Sequence, residues 1–290
     1  MSRLFIALLW ALHWLPLGVL SRIGEALGLL LYVLIWPRRK VVHTNLRRCF
    51  PEWSAGERGR VARAHFRLIG RSLLERGLLW WGSRERLERL IRVSGVAQMK
   101  ALLEAGTPVI VMAPHFVGLD MGGSRLSMEC DFVSIYARQR NKVVDRWLYH
   151  GRSRFGDQRL LARHESIRST VRALKEGRPF YYLPDMDHGP KESIFVPFFG
   201  IQTASITGLP RFAKMAGAAV VTCTTRMLPG GQGYEVTLGA PWTDFPSGDV
   251  TADVARMNAD IEARVREMPE QYYWVHKRFK TRPEGEPRFY

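Results

Sequence analysis

The sequence has few cysteines, few acidic residues and no Gly-x-Ser-x-Gly motif. Its three cysteines, Cys49, Cys130 and Cys223, are far apart and form no C-x-x-C pair. This argues against a disulfide framework or a zinc site and fits a reducing cytosolic setting. The missing serine motif argues against an acyl-enzyme formed on a serine. With 290 residues, 46% of them hydrophobic, the chain is long enough for one large α/β domain.

The shortage of acidic residues makes the protein strongly basic. Asp and Glu number 27 against 43 Lys and Arg, which gives a net charge of +16. Half of this excess lies between Arg138 and Arg178, where there are 12 basic and four acidic residues. A charge run is often only a solvated surface, but the excess here is of one sign and lies beside the expected site, so we expect a docking surface for phosphate groups that includes Arg138. The balance indicates an anionic partner: nucleic acid, a phospholipid surface, or an acidic carrier or substrate.

The most apolar part of the sequence is its N-terminal segment, residues 4–36. A spanning helix needs about 20 apolar residues, and each apolar run here is shorter because Arg22 and Glu25 interrupt the segment. It predicts either one imperfect spanning helix or a kinked element lying partly in the interface, with a buried helical hairpin as the alternative. The basic residues 38–40 then place the following chain on the cytoplasmic side. We expect a membrane anchor over residues 1–40 and an α/β domain over residues 41–290.

From residue 91 onward, short apolar runs alternate with amphipathic segments. The predicted strands are 91–94, 109–113, 132–136, 179–183, 218–225 and 234–238. The predicted helices are 58–81, 96–104, 118–128, 142–155, 166–176, 205–215 and 250–266. This alternation predicts an α/β fold with a mostly parallel mixed sheet, helices on both faces and an antiparallel hairpin near the end. An N-terminal membrane-associated helical segment precedes it.

The chemistry is expected just after the strand 109–113. His115 follows it directly, and Asp120 comes five residues later, where a helical pattern begins. Catalytic groups of α/β folds gather at the carboxyl ends of strands. An imidazole can accept a proton near neutral pH, and a carboxylate on its other nitrogen fixes the tautomer. The two side chains can meet if His115 precedes the helix. Within a regular helix, side chains five positions apart point in different directions. On spacing alone, a helix-capping histidine and a solvated aspartate remain the alternative.

Two further strand ends carry candidate site residues. Arg163 precedes a predicted helix start, where a guanidinium can clamp an anion. The loop after the strand 179–183 contains Asp185, Asp187 and His188. These three would suit a cation, but no further acidic cluster completes the ligand set, so we expect no metal. A surface arginine and an aspartate in a turn are the alternative readings.

These residues and several longer segments resemble a known family. His115-x4-Asp120 after an apolar strand is similar to the signature of the membrane glycerolipid and lipid A acyltransferases. The loop 183–190, the segment 194–200 (Ile-Phe-Val-Pro-Phe-Phe-Gly) and the tail 269–283 resemble the bacterial late acyltransferases of lipid A biosynthesis. The similarity covers nearly the whole chain. Many members of this branch have Glu where Asp120 stands, and both carboxylates can orient a histidine.

The resemblance implies transfer of an acyl group from an acyl-carrier-protein thioester to a hydroxyl of a Kdo-lipid A precursor. His115 would be the general base and Asp120 would orient it. Arg163 would bind phosphate or stabilise the oxyanion, and Asp185 would hold Arg163 or another arginine in position. No cofactor is expected besides acyl-ACP as co-substrate. The expected partners are the acyl carrier protein, the anionic lipid A precursor and the inner leaflet of the bacterial inner membrane, with the catalytic domain on the cytoplasmic side.

Three other functions remain open on the residues alone. A nucleic-acid-binding protein would explain the charge, but it has no use for the N-terminal segment and no such motif is present, so we expect no nucleic acid. A lipid hydrolase could use the same histidine on water. An acyltransferase of the same fold could act on a lysophospholipid or an amino-acid lipid, because acceptor choice depends on pocket shape.

Overall fold

The computed structural model describes residues 2–162 and 166–290, which form eleven α-helices and nine β-strands. The helices are α1 Ser2–Leu12, α2 Leu17–Leu34, α3 Trp36–Cys49, α4 Ala55–Trp81, α5 Arg84–Leu90, α6 Val96–Glu104, α7 Leu119–Leu126, α8 Lys142–Ser153, α9 Ser166–Lys175, α10 Gly208–Ala216 and α11 Val250–Glu267. The strands are β1 Ile91–Ser94, β2 Val109–Met112, β3 Val133–Tyr136, β4 Arg159–Ala162, β5 Phe180–Tyr182, β6 Ser193–Phe198, β7 Ile201–Ile206, β8 Ala219–Met227 and β9 Tyr234–Leu238.

Seven of the strands form one sheet in the order β1-β9-β8-β2-β5-β3-β4. The five strands from β8 to β4 run parallel to one another. Strand β9 returns antiparallel to β8, and β1 lies at the edge, parallel to β9. The remaining two strands, β6 and β7, form a separate antiparallel hairpin. The predicted fold class, a mostly parallel mixed sheet with an antiparallel hairpin near its end, is confirmed.

The central strand β2 is buried on both faces, which explains its uninterrupted apolar sequence. Ile110 and Met112 belong to the apolar core that includes α10 and α11. Val109 and Val111 belong to the core that includes α4 and α7. The chain leaving β2 therefore emerges between two helical layers, at the C-terminal edge of the parallel strands. This is the edge where ligands bind in open α/β sheets.

Three strands of the structure, β4, β6 and β7, are not among those predicted from the sequence pattern. Strand β6 contains Pro197, and its hairpin turns at Phe199 and Gly200, both with positive φ. Strand β7 buries the polar Thr203 and Ser205, so its apolar alternation is broken. The helix expected over 205–215 therefore begins later, at the start of α10, because β7 is still paired with β6 up to residue 206.

The N-terminal helices pack directly on the α/β domain. Helix α2 crosses α4 at a close glycine contact, where a Cβ on Gly70 would lie 2.1 Å from the carbonyl oxygen of Gly24. The Ser21 hydroxyl donates to Glu75 at 2.8 Å, and Glu75 forms a fully buried ion pair with Arg71, also at 2.8 Å. The segment expected as a membrane anchor is thus tied to the body of the protein by packing and by buried polar groups.

Candidate active site

His115 lies in the loop between β2 and α7, at the C-terminal edge of the sheet. Its Nδ1 is 2.7 Å from Oδ1 of Asp185, and its backbone N–H donates to Oδ2 of Asp185 at 2.9 Å. Asp185 follows β5, which pairs directly with β2, so two adjacent strand ends bring the residues together. When Nδ1–H donates to the carboxylate, the lone pair on Nε2 is available to accept a proton.

Asp185 is a buried carboxylate, only 1% exposed. Burial by itself would raise its pKa, but the charge of His115 and the hydrogen bonds from its ring and backbone lower the pKa of Asp185 to about 2. The carboxylate therefore remains ionised near neutral pH. It can hold the histidine in one tautomer and stabilise the imidazolium that forms when Nε2 takes a proton.

Asp120 contacts arginines rather than the histidine. Its Oδ2 accepts a hydrogen bond from Arg76 at 2.9 Å, and its Oδ1 accepts one from Arg152 at 2.8 Å. Burial would raise the pKa of Asp120, but the charges of Arg152 and Arg76 lower it to about 2. This corrects the expected pairing: Asp120 lies in the first turn of α7 and faces α4 and α8, while the carboxylate on the ring of His115 comes from Asp185.

Arg152 is a site residue that sequence reasoning missed. It lies in the last turn of α8 and lines the same cavity as His115. The adjacent Asp120 carboxylate raises the pKa of Arg152 and accepts two hydrogen bonds from its guanidinium, at 2.8 and 3.1 Å. The basic stretch 138–178 was the available signal. That stretch does not single out Arg152, because the carboxylate that binds its guanidinium, Asp120, comes from a different helix, α7.

Of the two arginines expected to bind substrate, only Arg138 lies within the described residues. Arg138 is exposed directly after β3, between Ala137 and Gln139, and both of these neighbours line the cavity. Arg163 lies outside the described residues, so its role as an anion ligand stays a prediction.

Asp187, the second carboxylate of the loop after β5, holds the C-terminal tail. It accepts hydrogen bonds from the hydroxyl and the backbone N–H of Thr281, at 2.8 and 2.7 Å. Its own N–H donates to Nε2 of His276 at 3.0 Å, an acceptor role that needs a neutral ring. Burial lowers the pKa of His276 to about 4, so the ring is neutral at pH 7. Across residues 2–162 and 166–290, no group of three or more His, Cys, Asp or Glu is placed to hold a metal ion.

The same tail completes the loop that carries the histidine. The N–H of Tyr273 donates to the carbonyl of His115 at 2.9 Å, and Val117 donates to the carbonyl of Gln271 at 2.8 Å. The backbone on both sides of Phe116 is therefore fixed by residues from the far end of the chain. This gives the tail motif seen in the sequence a concrete role in shaping the site.

His115 opens on a cavity of about 800 Å³ at the ends of β3 and β5, bounded by α9 and α10. Much of its lining is apolar, including Ile135, Phe180, Leu183, Ile206, Phe212 and Met215. Three arginines, Arg152, Arg168 and Arg211, also line it. A cavity of this size and composition can enclose a long apolar chain, and its arginines can bind an anionic group.

A histidine held by a carboxylate beside a large apolar cavity has the chemistry of an enzyme whose substrate carries an apolar chain. Comparison with known proteins gives the family. Residues 1–281 match the bacterial lipid A biosynthesis acyltransferases. The chain is 35% identical to the lipid A biosynthesis lauroyltransferase of Escherichia coli, over 100% of this chain and 94% of that protein. It is 31% identical to the palmitoleoyltransferase of that pathway from the same organism, over 98% of this chain and 92% of that protein. The chain therefore belongs to the bacterial lipid A biosynthesis acyltransferase family and is an acyltransferase.

Proposed function

We propose that this acyltransferase moves a fatty acyl group from an acyl-carrier-protein thioester to a hydroxyl of a Kdo-lipid A precursor, a secondary acylation in lipopolysaccharide biosynthesis. The observation that carries the proposal is the hydrogen bond between His115 and the buried Asp185 at the wall of a large apolar cavity. Family membership supports the lipid A pathway. The thioester is already an activated acyl donor, so the reaction needs no cofactor and no metal.

In the proposed mechanism, Nε2 of His115 takes the proton of the acceptor hydroxyl while its oxygen attacks the thioester carbonyl carbon. Negative charge develops on the carbonyl oxygen, and Arg152, held by Asp120, supplies a fixed positive charge in the same cavity. The carbon–sulfur bond then breaks, and the imidazolium returns the proton to the leaving thiolate. Asp120 is thus a positioning residue for the arginine, and Asp185 is the residue that orients the base.

Charge supports the proposed partners. The acyl carrier protein is acidic and the acceptor bears phosphates and Kdo carboxylates, so a protein of net charge +16 attracts both. Arg138 and Arg163 are proposed to bind phosphate groups of these substrates. Nucleic acid is not among the proposed partners.

The N-terminal helices are proposed to hold the enzyme on the cytoplasmic face of the bacterial inner membrane. Helix α2 is long and apolar enough to span a bilayer, judged by length and composition. Several large apolar side chains of this region are more than half exposed, among them Trp10, Trp14, Val33, Leu34 and Trp36. Exposed tryptophans of this kind suit the headgroup region.

The packing of α2 favours an interfacial position over a spanning one. At its closest approach to α4, Gly28 lies against Phe66 and Arg67, and Gly24 lies against Arg71. Arg71 is buried with Glu75, but Arg67 is exposed, and a spanning α2 would carry Arg67 into the hydrocarbon core at a cost of about 2.5–3.5 kcal/mol or more. We therefore propose that α1 and α2 lie in the headgroup region with their exposed faces toward the acyl chains.

The proposal is tested with the purified protein in lipid vesicles, an acyl-carrier-protein thioester labelled in its acyl group, and a Kdo-lipid A precursor. The expected product is the precursor with one added acyl chain, detected by mass spectrometry. His115→Ala should lower the rate by about 10²- to 10⁴-fold because the base is lost. The matched control is His150→Ala, since His150 is an exposed histidine on α8, and its rate should stay near that of the wild type. Labelled free fatty acid without an acylated acceptor would refute acyl transfer to the lipid.

A further inference from the structure

The mouth of the cavity carries exposed apolar and basic side chains together. Ile167 in α9 is 46% exposed and Met215 in α10 is 45% exposed, yet both line the cavity. Arg168 and Arg211, also exposed, line it from the same two helices. These four residues are called the α9–α10 rim below.

The composition of the α9–α10 rim is that of a surface that meets anionic lipid. Arg211 and Met215 are four residues apart in α10 and so share one face of that helix. Glu192 is the one carboxylate among the described residues that line the cavity, so the mouth is dominated by positive charge. Exposed apolar side chains flanked by arginines are the pattern by which amphipathic elements bind headgroups and insert into the acyl boundary.

The start of α9, which carries Ile167 and Arg168, lies at the same edge of the sheet as the starts of the N-terminal helices. Helix α9 follows the C-terminal end of β4, and α10 starts at this edge because it leads back to the beginning of the parallel strand β8. The start of α1 is fixed here by a 2.7 Å hydrogen bond from Asn141, which follows β3, to Ser2. The start of α2 lies here too, with Gly18 packed against Gly231 in the turn after β8. Both apolar surfaces therefore flank the edge that carries His115.

We propose that the α9–α10 rim is a second membrane-contacting surface, distinct from the N-terminal helices, which binds anionic phospholipid headgroups and seats the mouth of the cavity on the bilayer. The role of the cavity in this inference rests on the proposed lipid acyltransferase function. With the mouth seated in this way, the apolar chain of a lipid substrate passes from the bilayer into the cavity without crossing water. The bilayer is favoured over an acidic protein as the occupant because Ile167 and Met215 are large, exposed and apolar.

The test places an environment-sensitive fluorophore at the rim of the full-length protein. Ile167→Cys, at the start of α9, is labelled in a Cys130→Ser background, since the other two cysteines are buried. The control label is at Lys175→Cys, exposed in the last turn of α9 and so at the opposite edge of the sheet. Proteins are bound to phosphatidylglycerol vesicles or phosphatidylcholine vesicles, with no acyl donor present.

In phosphatidylglycerol vesicles, the label at position 167 should shift to an apolar environment and be quenched by spin-labelled lipid, while the label at position 175, at the other end of the same helix, should not. Arg168→Glu combined with Arg211→Glu should remove most of the shift, and phosphatidylcholine should give a smaller one. The same insertion is expected in the His115→Ala variant, so loss of activity and loss of rim contact are distinguishable. A label at position 167 that stays in water on vesicle-bound protein, or that is covered only when an acidic carrier protein is added, overturns the proposal.

Discussion

Replacing Asp185 by asparagine removes the charge that faces His115 while keeping the shape of the side chain. Burial raises the pKa of the Asp185 carboxyl, but His115 and, to a smaller extent, Arg278 lower it from 3.8 to about 2, a net preference of about 2 kcal/mol for the charged form. If the same interaction stabilises the imidazolium in the transition state, its loss alone slows the reaction about 30-fold. An asparagine can also present its N–H₂ group to Nδ1, which moves the ring proton to Nε2 and removes the base.

The combined expectation for Asp185→Asn is a fall of about 10²- to 10⁴-fold in kcat, with little change in KM. The assay is steady-state transfer of a labelled acyl group in vesicles, with the amount of folded enzyme measured by thermal unfolding. Asp253→Asn is the matched control, because Asp253 is 2% exposed and accepts backbone N–H bonds from Ser247 but contacts no histidine. If Asp185→Asn keeps most of the wild-type kcat, or if Asp253→Asn loses as much, the assigned role of Asp185 is wrong.

Two further predictions concern stability. Gly70→Ala puts a methyl group 2.1 Å from the carbonyl oxygen of Gly24, so it should lower the free energy of unfolding by about 1–3 kcal/mol. The control is Gly56→Ala in the same helix, where only Ser54 lies within 4 Å, and it should be neutral or stabilising. Equal effects of the two substitutions in thermal unfolding would contradict the tight crossing of α2 and α4. Burial lowers the pKa of His65 to about 4, so its contribution to stability is complete above pH 6.5 and should fall by about 3 kcal/mol as the pH drops to 4. His65→Gln should flatten this part of the stability–pH curve, and an unchanged slope would show that other groups cause it.

The sequence can select candidate site residues because strand ends can be located without knowing which strands are neighbours. His115 and Asp185 both follow buried apolar runs, and both were predicted as site residues on that ground. Their direct hydrogen bond could not be predicted, because it depends on β5 lying beside β2 with Met112 opposite Tyr182. Strand order is a property of the folded chain that local pattern does not carry.

The unknown arrangement of the elements also explains why the sequence predicts Asp120, and not Asp185, as the carboxylate on the ring of His115. Spacing along the chain favours Asp120, since it is the nearest carboxylate after His115. In the fold, Arg76 from α4 and Arg152 from α8 both donate hydrogen bonds to Asp120. Asp120 therefore pairs with these two arginines, although it is close to His115 in sequence. The arginine predicted from a strand end, Arg163, lies outside the described residues. Arg152, one of the three arginines that line the cavity among the described residues, comes from a helix end, where no motif marks it.

The backbone bonds from the tail to the His115 loop have a consequence for how the protein is made. During synthesis, residues 271–276 leave the ribosome after the N-terminal helices and the strands of the sheet. Asn45 of α3 donates to the carbonyls of Trp274 and His276 at 2.8 Å, so an early helix provides the dock for a segment that arrives late. Until that late segment docks, the His115 loop lacks its backbone hydrogen bonds to Gln271 and Tyr273, so this loop reaches its final form only when the tail is in place.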